Sequence, residues 1–182
     1  MGDHVLFFYG TLMVPQILHR VIHGRSDPEP WQKALLKFQP ATLHGFKRHR
    51  VRGADYPGII SVKTSAADVS ANDTSVLGTL VSGLTDGDIY RLDMFEGEDY
   101  TKEDVCVRLL LGGGNAEGNN LQNVLGTART EDLDEGEELR AVTYVWTGGR
   151  EELEEAEWDF ESFKRDKLAW WVGADEERWK TL

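Results

Sequence analysis

The chain reads Val5-Leu6-Phe7-Phe8-Tyr9-Gly10-Thr11-Leu12 near its N-terminus, and this stretch decides the fold. Its first five residues are β-branched, apolar or aromatic, which predicts a buried strand, and Gly10 ends that run in a tight turn. Pro15 suits the first turn of a helix that Gly24 ends. Several backbone N–H groups of such a turn point outward without a partner, which favours binding of a carboxylate or phosphate. An ordinary strand-to-helix connection is an equal alternative.

The rest of the chain continues the alternation of strands and scattered helices. The pattern over 35–51 predicts one or two strands interrupted at Gly45, and further strands are predicted over 59–62, 76–81, 105–111 and 141–146. A helix is predicted over 85–95, with Thr85 as N-cap and Asp88 three residues later, and another over about 151–171. Strands outnumber helices, so we expect an α+β fold: a small mixed β-barrel or sheet with helices at its ends.

Length and composition predict a single domain over residues 1–182. A chain of 182 residues, 40% hydrophobic and 29% charged, is long enough for one core and lies in the globular range. The polar stretch at about 112–138 is predicted to be a surface insertion. The net charge of −12 disfavours nucleic acid and anionic membranes as partners. A lone cysteine, Cys106, and the absence of a signal-peptide pattern predict a cytoplasmic protein.

No metal or cofactor is predicted from the motifs. His19 and His23 have the four-residue spacing of a metal-binding pair on a helix, but no further ligand pattern accompanies them. Gly112-Gly113-Gly114 lacks the Lys-Ser or Lys-Thr of a P-loop. Cys106 lies in an apolar strand and no Gly-x-Ser-x-Gly elbow occurs, so we expect neither a cysteine nor a serine nucleophile.

Glu96 is the candidate for proton transfer. It ends the predicted amphipathic helix beside Met94 and Phe95. A carboxyl group among apolar neighbours loses solvation, which raises its pKa and makes it a better base near neutral pH. The alternative is a solvated glutamate in an acidic turn with Glu98 and Asp99, which composition alone favours. The residues by themselves leave both interpretations open.

Five motifs in order along the chain carry a resemblance to a known family. They are Phe8-Tyr9-Gly10-Thr11-Leu12, Leu43-His44-Gly45-Phe46, Tyr56-Pro57-Gly58-Ile59-Ile60, Leu92-Asp93-Met94-Phe95-Glu96-Gly97 with Tyr100, and Ala141-Val142-Thr143-Tyr144-Val145-Trp146. The set resembles the gamma-glutamylcyclotransferase-like superfamily, most closely the avirulence-induced-gene branch described from plants. The resemblance covers nearly the whole chain apart from about 64–75 and 112–138.

The resemblance implies a small mixed barrel and a cofactor-independent acyltransferase. It implies that Glu96 is the proton acceptor and that the substrate is a small gamma-glutamyl compound, cyclised to 5-oxoproline with release of an amine. The implied substrate-binding residues are Tyr9, Gly10, Thr11, Leu12, Met13, Val14 and Tyr100. The alternative is a binding or regulatory module of the same fold that keeps Glu96 without turnover.

The resemblance leaves the leaving group of the substrate open. Members that act on free gamma-glutamyl amino acids usually have an asparagine after a Tyr-Gly-Ser turn, whereas this chain has Thr11-Leu12. The tyrosines at 9, 56, 100 and 144 are further candidates to line the cavity and to support Glu96 or the substrate carboxylate. Arg48 or Arg50 would pair with a substrate carboxylate if one of them faced inward. No oligomeric state is predicted.

Overall fold

The computed structural model describes residues 2–24, 28–62, 75–110, 135–156 and 158–167. Seven strands occur in these ranges: β1 (His4–Phe8), β2 (Lys37–His44), β3 (Phe46–Arg50), β4 (Pro57–Ser61), β5 (Ser75–Leu84), β6 (Tyr100–Leu110) and β7 (Glu135–Trp146). Five of them form a closed barrel in the order β1-β5-β2-β6-β7, and β3 and β4 form a separate two-stranded ribbon. The predicted α+β architecture with a small mixed barrel is therefore confirmed.

The barrel is closed by one parallel pairing among antiparallel ones. The four pairings from β1 through β5, β2 and β6 to β7 are antiparallel. β1 and β7 then run parallel, with Leu6 opposite Val142. This closure places the start of the chain beside the last strand of the barrel, so the turn after β1 lies next to the C-terminal half of β7.

Four α-helices accompany the strands in the described ranges: α1 (Pro15–His23), α2 (Pro30–Lys33), α3 (Asp86–Glu96) and α4 (Phe160–Asp166). α1 begins at Pro15 and ends at Gly24, whose φ of 75° is the left-handed conformation that favours glycine. The predicted cap of α3 is confirmed, because Asp88 N–H donates to the Thr85 hydroxyl at 3.1 Å and Thr85 N–H donates to the Asp88 carboxylate at 3.0 Å. No helix in these ranges is long and apolar enough to cross a bilayer.

The last three residues of β1 are buried on both faces of the strand, which explains the apolar run from Val5 to Phe8. Successive side chains of a strand point to opposite sides. Leu6 and Phe8 pack in the core cluster that contains α1 and Leu92 of α3, whereas Phe7 and Tyr9 pack in a second cluster with residues of β2, β4 and β5. Because β1 packs in two core clusters, it holds the turn that follows it in a fixed position.

The structure corrects two predictions about the second half of the chain. The insertion predicted at about 112–138 ends earlier, because β7 begins at Glu135; residues 111–134 lie outside the described residues. The helix predicted over about 151–171 is wrong in its first part. There, Glu154 N–H donates to Arg50 O at 2.8 Å and Arg50 N–H donates to Ala156 O at 3.0 Å, so this segment pairs with β3. Pairing with a free strand edge overrides the helical spacing of its apolar residues.

Candidate functional site

The turn after β1 keeps several backbone donors uncommitted. A single 3₁₀ turn covers Thr11–Met13, closed by Met13 N–H to Gly10 O at 3.0 Å and Val14 N–H to Thr11 O at 3.2 Å. The amides of Gly10, Thr11 and Leu12 have no acceptor within the described residues. Three successive free N–H groups at a turn form the kind of concave, positively polarised surface that binds anions.

Gly10 permits the close approach of this turn to β4. A Cβ atom added at Gly10 would lie 2.7 Å from Cδ and 2.9 Å from Cγ of Pro57. Such distances are far below ordinary contact, so only glycine fits while the two segments keep their positions. The Tyr56-Pro57-Gly58 motif and the Tyr9-Gly10-Thr11-Leu12 motif therefore meet although 47 residues separate Gly10 from Pro57.

The end of α3 is anchored to the barrel through Asp93. The Tyr144 hydroxyl donates to Asp93 Oδ1 at 2.8 Å, and Lys102 Nζ donates to Asp93 Oδ2 at 2.9 Å. Tyr144 and Lys102 stand opposite each other on β7 and β6. Asp93 thus holds the last turn of the helix, and with it Glu96, against two strands.

A cavity of about 440 Å³ joins these segments, a volume suited to a small metabolite. Its walls come from the end of β1 with the following turn, the start of β4, the end of α3 with the following loop, and β6 and β7. The lining residues are Phe7, Phe8, Tyr9, Gly10, Thr11, Leu12, Tyr56, Pro57, Met94, Phe95, Glu96, Gly97, Glu98, Asp99, Tyr100 and Tyr144.

Glu96 is half-buried in the wall of this cavity. Burial raises the pKa of its carboxyl to about 8, and the like charge of Asp93 contributes to the increase. Glu96 is also the last residue of α3, where the negative end of the helix dipole disfavours an anion. Its carboxyl group has no hydrogen-bond donor within the described part of the chain. Such a group exchanges a proton readily near neutral pH.

Comparison with known proteins identifies the family. The family model described as gamma-glutamyl cyclotransferase, AIG2-like, matches residues 6–160. The chain belongs to this family. Two curated relatives from Arabidopsis thaliana are protein AIG2 C, 24% identical over 89% of this chain and 73% of its own length, and AIG2-like protein B, 28% identical over 89% and 70%.

Solved structures of proteins from the same plant share the fold. One solution structure superimposes with a TM-score of 0.51 at 24% identity, covering 89% of this chain and 73% of the other. A second gives a TM-score of 0.50 at 25% identity, covering 89% and 80%. The family match over residues 6–160 and the AIG2 relatives, with this shared fold, confirm the resemblance to the gamma-glutamylcyclotransferase-like superfamily and its AIG2 branch.

In this AIG2-like protein, three of the four predicted cavity tyrosines use their hydroxyls to hold the framework. Tyr9 donates to Tyr144 O at 2.6 Å, Tyr100 to Pro57 O at 2.8 Å, and Tyr144 to Asp93. Burial raises the pKa of each of these hydroxyls, so they remain neutral donors. The Tyr56 hydroxyl contacts no hydrogen-bond partner in the described ranges, and Tyr56 lines the cavity.

Most of the site residues expected for the family meet at the cavity, and some do not. Tyr9, Gly10, Thr11, Leu12, Glu96 and Tyr100 all line it. The side chains of Met13 and Val14 are instead buried in the core beside α1, and the amides of both residues already donate within the turn. Neither Arg48 nor Arg50 lines the cavity. Arg48 Nη1 donates to Tyr9 O at 2.8 Å, and Arg50 forms an ion pair with Glu154 at 3.4 Å.

Asp93 and Pro57 carry parts of the site that sequence reasoning did not single out. The proximity of Asp93 to Glu96 could have been predicted, because Asp93 lies three residues earlier on the predicted helix and therefore on the same side. Pro57 had none, since its contact with Gly10 depends on how the ribbon packs against the barrel.

The histidine pair of α1 is a packing feature. Nδ1 of His19 and Nδ1 of His23 are 3.1 Å apart and the rings stack with centroids separated by 5.2 Å. Burial lowers the pKa of His19 to about 4, and the neighbouring His23 contributes. Across the described residues, no group of three or more His, Cys, Asp or Glu side chains is arranged to hold a metal ion.

Proposed function

We propose that this member of the gamma-glutamyl cyclotransferase, AIG2-like family cyclises a small gamma-glutamyl amide to 5-oxoproline and releases the amine. One observation carries the proposal: a carboxyl group with a pKa of about 8 and a turn with free N–H groups line the same cavity. The first can move a proton and the second can hold a carboxylate, which are the two requirements of the reaction.

The turn would hold the alpha-carboxylate of the glutamyl group. Its free amides belong to Gly10, Thr11 and Leu12. A carboxylate that accepts from several such amides leaves the rest of the glutamyl chain to fold back within the cavity. In this arrangement the alpha-amino group lies close to the gamma-carbonyl carbon, and the intramolecular reaction gains from that proximity.

Glu96 would then carry one proton through the reaction. The alpha-amine nitrogen attacks the gamma-carbonyl carbon while the ionised Glu96 takes a proton from that nitrogen. The bond from the gamma-carbon to the amide nitrogen breaks, and Glu96 returns the proton to the leaving amine. The hydroxyl of Tyr56, another residue that lines the cavity, would donate to the carbonyl oxygen, which becomes negative as the tetrahedral intermediate forms.

The test is 5-oxoproline formation by the purified protein. A panel of gamma-glutamyl amides with cationic, neutral and anionic leaving groups is supplied, and 5-oxoproline is measured by chromatography. We expect turnover of at least one compound, and Glu96→Gln is expected to lower kcat by about 10²–10⁴-fold, the usual contribution of a general base. Glu103→Gln is the matched control, because Glu103 is an exposed carboxylate on β6 outside the cavity.

The outcomes separate this proposal from a binding module of the same fold. Absence of 5-oxoproline with every compound would reject the cyclotransferase activity. If the wild type binds a gamma-glutamyl compound with the same affinity as Glu96→Gln and neither forms product, the protein binds without turnover.

A further inference from the structure

Arg48 contacts the residue that precedes the turn and does not line the cavity. It is the middle residue of β3, and its side chain is half-buried. Its Nη1 atom donates to Tyr9 O at 2.8 Å and to Leu77 O at 3.2 Å. Tyr9 directly follows β1 and Leu77 lies in β5. A single cation therefore connects the start of the turn to the neighbouring barrel strand and to the ribbon.

The segment before α4 covers this guanidinium group. The Cζ atom of Arg48 lies 5.4 Å from the ring centroid of Trp158, within the range of a cation–π contact. Trp158 is 5% exposed, and its Nε1 donates to Asp55 O at 2.7 Å. The ring packs in addition on Phe160 and Phe163. The tryptophan is thus fixed from three sides and limits the movement of Arg48.

The bond from Arg48 to Tyr9 also orients the next amide. The peptide between Tyr9 and Gly10 is trans, so its C=O and its N–H point in opposite directions. Holding the Tyr9 carbonyl toward Arg48 directs the Gly10 N–H away from Arg48, and Gly10 lines the cavity whereas Arg48 does not. A cation on the carbonyl oxygen moreover polarises the peptide and strengthens the N–H as a donor.

We propose that Arg48, covered by Trp158, is a positioning residue that sets the Tyr9–Gly10 peptide for recognition of a carboxylate in the cavity. The inference rests on the proposed function, because it assigns to the turn the carboxylate of the gamma-glutamyl group. Arg48 acts through a backbone amide and touches neither the substrate nor the reacting atoms.

A pair of ligands distinguishes this role from general support of the fold. 5-Oxoproline and 2-pyrrolidinone have the same ring, but only the first carries a carboxylate. Their dissociation constants for ¹⁵N-labelled wild type and Arg48→Met are measured by NMR titration, with the Gly10 amide as the reporter. We expect the variant to bind 5-oxoproline about tenfold more weakly, the size of one charge-assisted hydrogen bond, with 2-pyrrolidinone binding unchanged.

Arg50→Met is the matched control. Arg50 lies two residues further along β3, is exposed and pairs with Glu154, so its substitution removes the same charge from the same ribbon. Both dissociation constants are expected to match those of the wild type. If Arg48→Met melts well below the wild type, Arg48→Lys replaces it, since a lysine keeps the charge and one donor but not the planar fork; its 5-oxoproline affinity is expected to be intermediate.

Three results would overturn the inference. They are equal losses for the two ligands, unchanged 5-oxoproline affinity in a folded Arg48→Met, and wild type that does not distinguish 5-oxoproline from 2-pyrrolidinone. None of these measurements requires turnover. A protein that recognises the carboxylate through Arg48 but forms no 5-oxoproline from any amide would therefore reject the proposed function alone.

Discussion

Glu96 occupies a position that disfavours its charged form in two ways. It is half-buried at the negative end of α3, and Asp93 lies one turn earlier on the same side. Lys102 and the Tyr144 hydroxyl both donate to Asp93 and fix its carboxyl group one turn before Glu96. Asp93, which anchors the helix, thereby also raises the pKa of Glu96.

This arrangement predicts a pH profile. The reaction needs the ionised form of Glu96, whose pKa is about 8, so kcat/KM is expected to rise about tenfold per pH unit below that value. Asp93→Asn removes the like charge while its amide oxygen still accepts from Tyr144. The rising limb should therefore move to lower pH, as measured from initial rates of 5-oxoproline formation.

Asp104→Asn is the control for this shift, because Asp104 is exposed on β6 and does not line the cavity. Its profile should coincide with that of the wild type. A rising limb of Asp93→Asn that stays in place, or moves to higher pH, would contradict the assigned influence of Asp93 on Glu96.

Among the elements, the turn after β1 and the start of β4 depend on each other. The strand, the turn and α1 follow from local patterns: a buried apolar run, Gly10 and Pro15. The ribbon of β3 and β4 was likewise predicted, from the strand pattern that continues after Gly45 and from the turn that precedes the apolar strand at 59–62. Their contact was not, because Gly10 meets Pro57 only when the ribbon packs across the barrel.

Gly10→Ala tests this contact. The new methyl group would lie 2.7 Å from Pro57 Cδ, so the turn or β4 has to shift. We expect kcat/KM to fall by about 10²-fold, the effect of misplacing binding groups by about 1 Å. Overpacking should also lower the free energy of unfolding by about 1–3 kcal/mol, measured by urea denaturation.

Gly87→Ala is the matched substitution elsewhere. Gly87 lies in α3, and its added methyl group would lie 3.3 Å from the end of the flexible Arg91 side chain and 3.8 Å, an ordinary contact, from Thr85 Oγ1. Activity should not change, and stability should be equal or higher because alanine favours a helix over glycine by about 1 kcal/mol. Equal losses of kcat/KM in both variants would contradict a specific contribution of the Gly10–Pro57 contact to activity.

At the scale of the whole molecule, the carboxyl group of Glu96 lowers the folding stability as pH rises. A carboxyl group whose pKa is higher in the folded state than in the unfolded state binds more protons when folded, so stability falls as pH rises. For Glu96 this loss runs from about pH 4.5 to about 8. His19 acts in the opposite sense: its pKa of about 4 lies below the ordinary 6.5, so stability is lost as pH falls through that window.

Glu96→Gln is therefore expected to stabilise the protein progressively with pH. The melting temperature of the variant should equal that of the wild type near pH 4.5 and exceed it increasingly up to pH 8, because glutamine has no charge to bury. The contribution of His19 cancels in this difference. Glu103→Gln controls for removal of one negative charge from a chain of net charge −12. A difference that shrinks as pH rises would be inconsistent with a buried carboxyl at position 96.

The sequence by itself determined the order of the strands, the ends of α1, the cap of α3 and the two candidate segments of the site. These depend on local periodicity and on residue types with strong backbone preferences, and both can be read without knowing contacts. The sequence pattern placed the starts of β6 and β7 five and six residues too late and did not predict α2. The helix predicted over about 151–171 was wrong in its first part. Its apolar residues have helical spacing, but residues 152–156 pair with residues 50–52 at and just after the end of β3, an interaction between segments about 100 residues apart.

Only the tertiary structure decided what surrounds Glu96. In the sequence, a solvated glutamate and a buried base were both open, because desolvation depends on neighbours that are distant along the chain. Closure of the barrel brings β7 beside β1, and this sets Tyr144 and the turn opposite the end of α3. The raised pKa of Glu96 and the contact of Arg48 with the turn both depend on segments distant along the chain, whereas the uncommitted amides were expected from the turn itself.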